Sequence, residues 1–211
     1  MQRRGHFISF EGGEGAGKST QARLLKAAPE TRGHHVVLTR EPGGSPGAEE
    51  IRKLLVEGEP ERWTPLSETL LFVAARVDHV ARVIEPGLAR GDWVISDRFS
   101  DSTYVYQGVA RGLGVDVVDR LQKAALGAFV PDLTLVLDLE PGEGLKRAGA
   151  RSGANENRFE RFDDGFHARL RKAFRDIAAA NPQRCVMIDA GRTADEVAAD
   201  VWRAVEKRLQ P

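Results

Sequence analysis

A chain of 211 residues has the length of one domain and can bury a sizeable core. Its 31 basic and 31 acidic residues cancel, so the charge points to no polyanionic partner and no nucleic-acid function is expected. Cys185 is the only cysteine, which excludes an internal disulfide and a cysteine-only metal site. No apolar run nears the roughly 20 residues that span a bilayer.

The basic start, Met1 to His6, leads at once into a strand-like run and leaves no apolar stretch of a secretory signal, so a soluble cytoplasmic protein is expected. The run 6–11, His6-Phe7-Ile8-Ser9-Phe10-Glu11, alternates and is rich in aromatic residues. Directly after it, Gly12-Gly13-Glu14-Gly15-Ala16-Gly17-Lys18-Ser19 satisfies G-x-x-x-x-G-K-[ST], and Thr20 to Lys26 reads as the first turns of a helix. Strand, glycine loop and helix give that motif its physical meaning. Glycines let successive backbone N–H groups curl around a phosphate, and the helix N-terminus adds positive potential. Residues Gly12 to Thr20 are therefore expected to hold the phosphates of a nucleoside triphosphate, with Lys18 reaching the β- and γ-phosphates and Ser19 ligating Mg²⁺.

Four further β-rich runs follow, at 35–39, 93–96, 133–139 and 185–189, separated by longer helical stretches. Apolar residues at consecutive positions suggest strands buried on both faces, as in a parallel sheet. Cys185 falls in the last run and reads as a buried core thiol. The alternation predicts an α/β fold, a doubly wound sheet of five parallel strands flanked by helices. Gly33 is placed to stop the first helix. Thr64-Pro65 reads as the cap and first residue of a long helix reaching about Arg90, with Gly91 as its stop. Thr193-Ala194-Asp195-Glu196 is a capping box opening a last helix whose Val197, Val201, Ala204 and Val205 share one face. There is no repeat, low-complexity tract or linker that would divide the chain.

Two polar segments stand where ligands bind in open α/β sheets, beyond the carboxyl ends of the strands. One is Arg40-Glu41-Pro42-Gly43-Gly44-Ser45-Pro46-Gly47. The other, Arg147 to Asp164, contains Arg147, Arg151, Arg158 and Arg161 and is suited to a small mobile lid over the phosphates. At the end of the third run, Asp97 is the candidate to hold Mg²⁺ or its water ligands, with Asp138 as the competitor. Arg98 offers a planar fork for a second phosphate. Phe72 and Arg76, four apart, share a helix face. Spacing alone makes Phe72 a core residue and Arg76 a solvated charge.

Together these residues resemble the thymidylate kinase family over nearly the whole chain, from about Phe7 to the final helix. The resemblance rests on Phe10 to Thr20, Thr39-Arg40-Glu41-Pro42-Gly43-Gly44, Leu71-Phe72-Val73-Ala74-Ala75-Arg76, and Asp97-Arg98-Phe99-Ser100-Asp101-Ser102-Thr103-Tyr104-Val105-Tyr106-Gln107-Gly108. It implies a P-loop NTPase-type fold and transfer of the ATP γ-phosphoryl group to dTMP with Mg²⁺. It also implies a single nucleoside monophosphate kinase domain over 1–211 with its lid at about 147–164, and a homodimer. Residue by residue, it implies that Glu14 faces the acceptor's 3′-hydroxyl, Phe72 stacks on thymine and Arg76 donates to its O4. Arg98 and Arg52 would hold the acceptor phosphate, Ser102, Thr103 and Gln107 the base side, and Tyr106 the floor beneath the sugar. Ser19 and Asp97 would serve the metal. The chain departs from the family at Phe99, where Tyr or His is common, and at Gly15, where one subtype carries an arginine. It therefore resembles the subtype with catalytic lid arginines, here Arg147, Arg151 and Arg158, beside Lys18 and Arg98. The rival readings are another P-loop nucleotide or small-metabolite kinase, a GTPase switch, and a binding protein without transfer activity. The switch reading lacks Asn-Lys-x-Asp.

Overall fold

The computed structural model describes residues 4–149 and 158–209. Five parallel strands form one sheet: β1 (Phe7–Gly12), β2 (Val36–Arg40), β3 (Trp93–Asp97), β4 (Leu133–Asp138) and β5 (Cys185–Asp189), in spatial order β2-β3-β1-β4-β5. The P-loop strand is thus central, and the chain leaves it first to one side and later to the other. That reversal of strand order leaves a crevice at the carboxyl ends of the strands.

Alternate residues of β1 divide the core between the two faces of the sheet. Ile8 and Phe10 join Trp93, Ile95, Leu133 and Leu135 beneath α1 (Lys18–Thr31) and α9 (Ala194–Leu209). Phe7 joins Val94, Phe99, Ile84 and Leu88 on the opposite face. Each such side chain, fully buried, stabilises the fold by about 1.5–3 kcal/mol. Beside that second group, Val136 and Cys185 pack with Phe166, Leu170 and Phe174 of α8 (Asp164–Ala180). Burial raises the Cys185 thiol to about 11, as suits a core residue.

The expectation that all five strands are buried on both faces holds for β1, β3 and β4 only. β2 and β5 are the sheet edges, and their outward side chains, Leu38 and Met187 among them, are exposed. The helix expected from Pro65 to Arg90 runs as α3 (Pro65–His79), a π-wound turn at Val80–Ile84 and α4 (Glu85–Ala89). Thr64 caps it by accepting from Ser67 N–H at 3.2 Å, and Gly91, at φ 84°, ends it. The capping box of α9 closes from both sides, Thr193 N–H to Glu196 Oε2 at 3.0 Å and Glu196 N–H to Thr193 Oγ1 at 3.4 Å. The remaining described helices are α2 (Pro46–Val56), a short α5 (Ser100–Thr103), α6 (Val115–Leu126) and α7 (Pro141–Gly149). Between α5 and α6 the chain is π-wound over Tyr104–Ala110. No described helix is long and apolar enough to cross a membrane.

Candidate active site

Gly12, Gly15 and Gly17 all have positive φ, which turns the chain sharply between β1 and α1. At Gly15 a Cβ would overlap the carbonyl oxygen of Gly144 in α7, so the packing leaves no room there for the arginine of the other subtype. Lys18 is buried and folds back over the loop, donating to Gly13 O at 2.7 Å and Gly12 O at 3.1 Å. Burial, and then the neighbouring Arg98 guanidinium, bring its ammonium down to about 8 against the pull of Glu14, Asp97 and Glu11.

Ser19 Oγ donates to Asp97 Oδ2, which joins the start of α1 to the end of β3. These are two adjacent hard oxygen donors, the chemistry Mg²⁺ prefers, so the residues fit that ion. Asp138, the competitor, is held by Arg171 Nε at 2.7 Å and Arg175 Nη2 at 2.6 Å. Its hydrogen bond from Arg171 keeps its carboxyl below the usual range, and its charge is already matched.

Arg98 is the only described non-glycine residue with positive φ, at 72°. Strain of this kind persists where neighbours over-determine the conformation. Arg98 N–H donates to Phe10 O at 2.9 Å, and Ser96 Oγ donates to Arg98 O at 2.7 Å. The side chain then reaches Glu14 Oε1 (2.9 Å), Tyr106 Oη (2.9 Å), Ser102 Oγ (3.1 Å) and Gly12 O (3.1 Å). Tyr106 also donates to Glu14 Oε1 at 2.6 Å. Burial alone would raise the Glu14 carboxyl, but Arg98 and Lys18 outweigh it and hold it at about 2.

These groups line one cavity of ≈ 260 Å³. Glu14, Lys18, Ser19, Asp97, Arg98 and Arg52 stand along it, with Phe72, Arg76, Ser102, Thr103, Tyr106 and Gln107. Arg52 is held by Pro42 O at 2.7 Å. Arg76 corrects the reading from spacing: it is 1% exposed and not solvated. Its Nε donates to Glu41 Oε2 (2.7 Å), Nη1 to Gln122 Oε1 (2.9 Å), and Nη2 to Thr103 Oγ1 (3.0 Å) and Phe99 O (3.2 Å). Four of its five N–H groups are thus engaged within the protein. Phe72 is half-buried, its ring 6.1 Å from that of Phe159.

Of the expected lid arginines, the two described, Arg147 and Arg158, are not gathered on this cavity. Arg147 is exposed and donates to Ala190 O at 3.2 Å. Arg158 is fully buried against Leu55, Glu59, Pro60 and Glu68, because carbonyls and a carboxylate there meet all three of its nitrogens. Arg151 and the rest of 150–157 lie outside the described residues.

Several residues of the site were given no role by sequence reasoning. Glu41 pairs with Arg76 and also accepts from His79 Nδ1 at 3.0 Å, while His79 Nε2 meets Thr39 Oγ1 at 2.7 Å. Glu11 accepts from Phe99 N–H (2.9 Å), Ser102 N–H (3.2 Å) and Ser102 Oγ (2.6 Å), so it shapes the turn that carries Arg98. Burial, reinforced by Asp101, raises its carboxyl to about 7. A glutamate ending a wholly buried strand was a usable signal for Glu11, and four-residue spacing from Phe72 was one for Glu68. Gln122, on α6, gave none.

A phosphate loop at the centre of a parallel sheet, facing a second anion-holding arginine across one cleft, puts the chain among the P-loop nucleotide kinases. The protein-family model described as Thymidylate kinase matches residues 10–201. Thymidylate kinase of Caulobacter vibrioides is 54% identical over 97% of this chain and 98% of its own, and that of Dinoroseobacter shibae 55% identical over 95% and 96%. The crystal structure of thymidylate kinase from Ehrlichia chaffeensis superposes with a TM-score of 0.76 at 34% identity, covering 96% of this chain and 99% of that one. The chain belongs to the thymidylate kinase family.

Proposed function

We propose that the chain transfers the γ-phosphoryl group of ATP to dTMP, giving dTDP and ADP. The observation that carries this reading is the single cavity in which Lys18 and the Ser19–Asp97 pair face Arg98, and beyond it Phe72 and Arg76. Phosphoryl transfer asks a protein for positioning and charge stabilisation more than for covalent chemistry. Backbone N–H groups of the loop and Lys18 hold the β- and γ-phosphates of ATP. Ser19 and Asp97 would hold Mg²⁺, and the ion would supply positive charge beside the phosphates. Arg98 and Arg52 grip the acceptor phosphate, and Glu14 accepts the 3′-hydroxyl of the sugar. Tyr106 lies beneath the sugar, where an added 2′-hydroxyl would collide with its ring.

At the base, Phe72 supplies a stacking face. The remaining Nη1–H of Arg76 donates to O4, and Ser102, Thr103 and Gln107 complete the wall. Arg147 and Arg151, from a lid at about 147–164, are our candidates to meet the charge on the transferred phosphoryl group. An ADP-release assay over dTMP, dUMP, dCMP and AMP tests the whole reading. A clear preference for dTMP is expected, and equal or absent turnover of dTMP would overturn it. Phe72→Ala removes a stacking interaction worth about 1–3 kcal/mol, so KM for dTMP is expected to rise by roughly 5- to 100-fold with KM for ATP unmoved. Equal changes in both KM values would show general damage to α3 instead.

We also propose that the chain acts as a homodimer in the cytoplasm. Leu66, Leu70, Ala74 and Val77 form one exposed stripe along α3, with Leu70 48% exposed, and a second copy would cover it. Leu70→Glu is expected to shift the mass measured by light scattering from dimer to monomer. A monomeric wild type at micromolar concentration would remove the proposal.

A further inference from the structure

Behind the base wall, Glu68 of α3 is wholly buried between two arginines. Arg158 Nη1 lies 2.5 Å from its Oε2, and Arg111 Nε 3.6 Å from its Oε1. The same Oε1 accepts from Gln107 Nε2 at 2.8 Å. We propose that Glu68 and Arg158 are positioning residues that set the amide of Gln107 for base recognition, a role that rests on the dTMP reading above.

The chemistry is that of an acceptor-only partner. A carboxylate offers no proton, so the Gln107 amide must turn its NH₂ toward Glu68, which leaves its carbonyl oxygen as the end presented to the cavity. A carbonyl oxygen there pairs with a ring N–H, as in a pyrimidine-2,4-dione, and opposes the unprotonated ring nitrogen of cytosine. Arg158 secures this arrangement. Its Nε donates to Glu59 O (2.9 Å), its Nη2 to Pro60 O (2.5 Å) and its Nη1 to Leu55 O (3.1 Å), so the guanidinium is fixed beside Glu68. Without Arg158 the carboxylate loses the contact on its Oε2 side, so it no longer holds the Gln107 amide in one orientation.

This role separates cleanly from a phosphoryl-transfer role for Arg158. Arg158→Met, which keeps the apolar stem, is expected to lower the ratio of kcat/KM for dTMP over dCMP by about tenfold or more, the worth of one discriminating hydrogen bond. The loss should lie mainly in KM for dTMP, with KM for ATP unchanged. Gln107→Met should lose a similar amount, and the double variant no more than Gln107→Met alone, because Arg158 acts through Gln107. If Arg158→Met does not fold, Glu68→Gln is measured instead. Its neutral amide can meet Gln107 in either orientation, and the same loss of ratio is expected. A common drop in kcat for both acceptors with the ratio intact, in whichever variant folds, overturns the proposal. A wild type that does not prefer dTMP to dCMP would instead remove the base assignment itself.

Discussion

Lys18→Ala is expected to lower kcat by about 10³-fold or more, equivalent to about 4 kcal/mol of transition-state stabilisation, while the protein stays folded. The lysine folds over the turn of the phosphate loop, bonded to Gly12 O and Gly13 O and bordered by Glu14 and Asp97. Its burial already disfavours its charge, so the folded state gives up little when it is removed. The reacting phosphates, by contrast, would lose the cation proposed to reach them. Single-turnover rates and a melting curve on the same preparation check both halves. A folded variant within tenfold of wild type would leave the loop without its central role.

Arg98→Ala is expected to be nearly as damaging, lowering kcat/KM for dTMP by about 10²- to 10³-fold, since a bound charge that loses its buried, hydrogen-bonded partner costs about 2–5 kcal/mol. The guanidinium would hold the acceptor phosphate and at the same time fixes Glu14, Tyr106 and Ser102. Its removal leaves Glu14 buried with Lys18 as its main remaining counter-charge. Arg98→Gly separates the backbone from the side chain: glycine relieves the positive φ, so its melting temperature should exceed that of Arg98→Ala while the kinetic loss is the same. Comparable kinetics in both variants and wild type would show that Arg98 serves only the turn.

What could be read from the sequence was whatever depends on near neighbours. The P-loop, the caps at Thr64 and Thr193 and the five strands each declare themselves within a dozen residues. The state of Arg76 does not, because its partners Glu41, Thr103 and Gln122 lie 27 to 46 residues away and come together only when α3, α5 and α6 pack on the sheet. An arginine on a helix face looks solvated until those partners are known. Arg158 shows the same limit. An arginine-rich stretch after a strand suggests a phosphate, yet the carbonyls of Leu55, Glu59 and Pro60 and the carboxylate of Glu68 already meet all three nitrogens of this guanidinium. The sheet edges were misread for a simpler reason: a short apolar run is the same whether its strand lies at the centre or at the rim.

The π-wound stretch from Tyr104 to Ala110 makes chain length itself a constraint on this enzyme family member. Its wide turns, such as Arg111 N–H to Tyr106 O at 2.9 Å, keep Thr103, Gln107 and Arg111 almost in line, so that the first reaches Arg76 and the other two Glu68. Tyr106, one residue before Gln107, still meets Arg98 and Glu14. A further residue inserted here would find no wider turn to absorb it, since the winding already spans five residues. Everything beyond the insertion would rotate by about 100° relative to Ser102 and Thr103. Substitutions along the segment can be absorbed one side chain at a time, whereas an insertion would turn Gln107 or Arg111 away from its partner in a single step. Exchanges of residue at the present length are therefore the changes this stretch takes up most readily, and an added residue the one it takes up least.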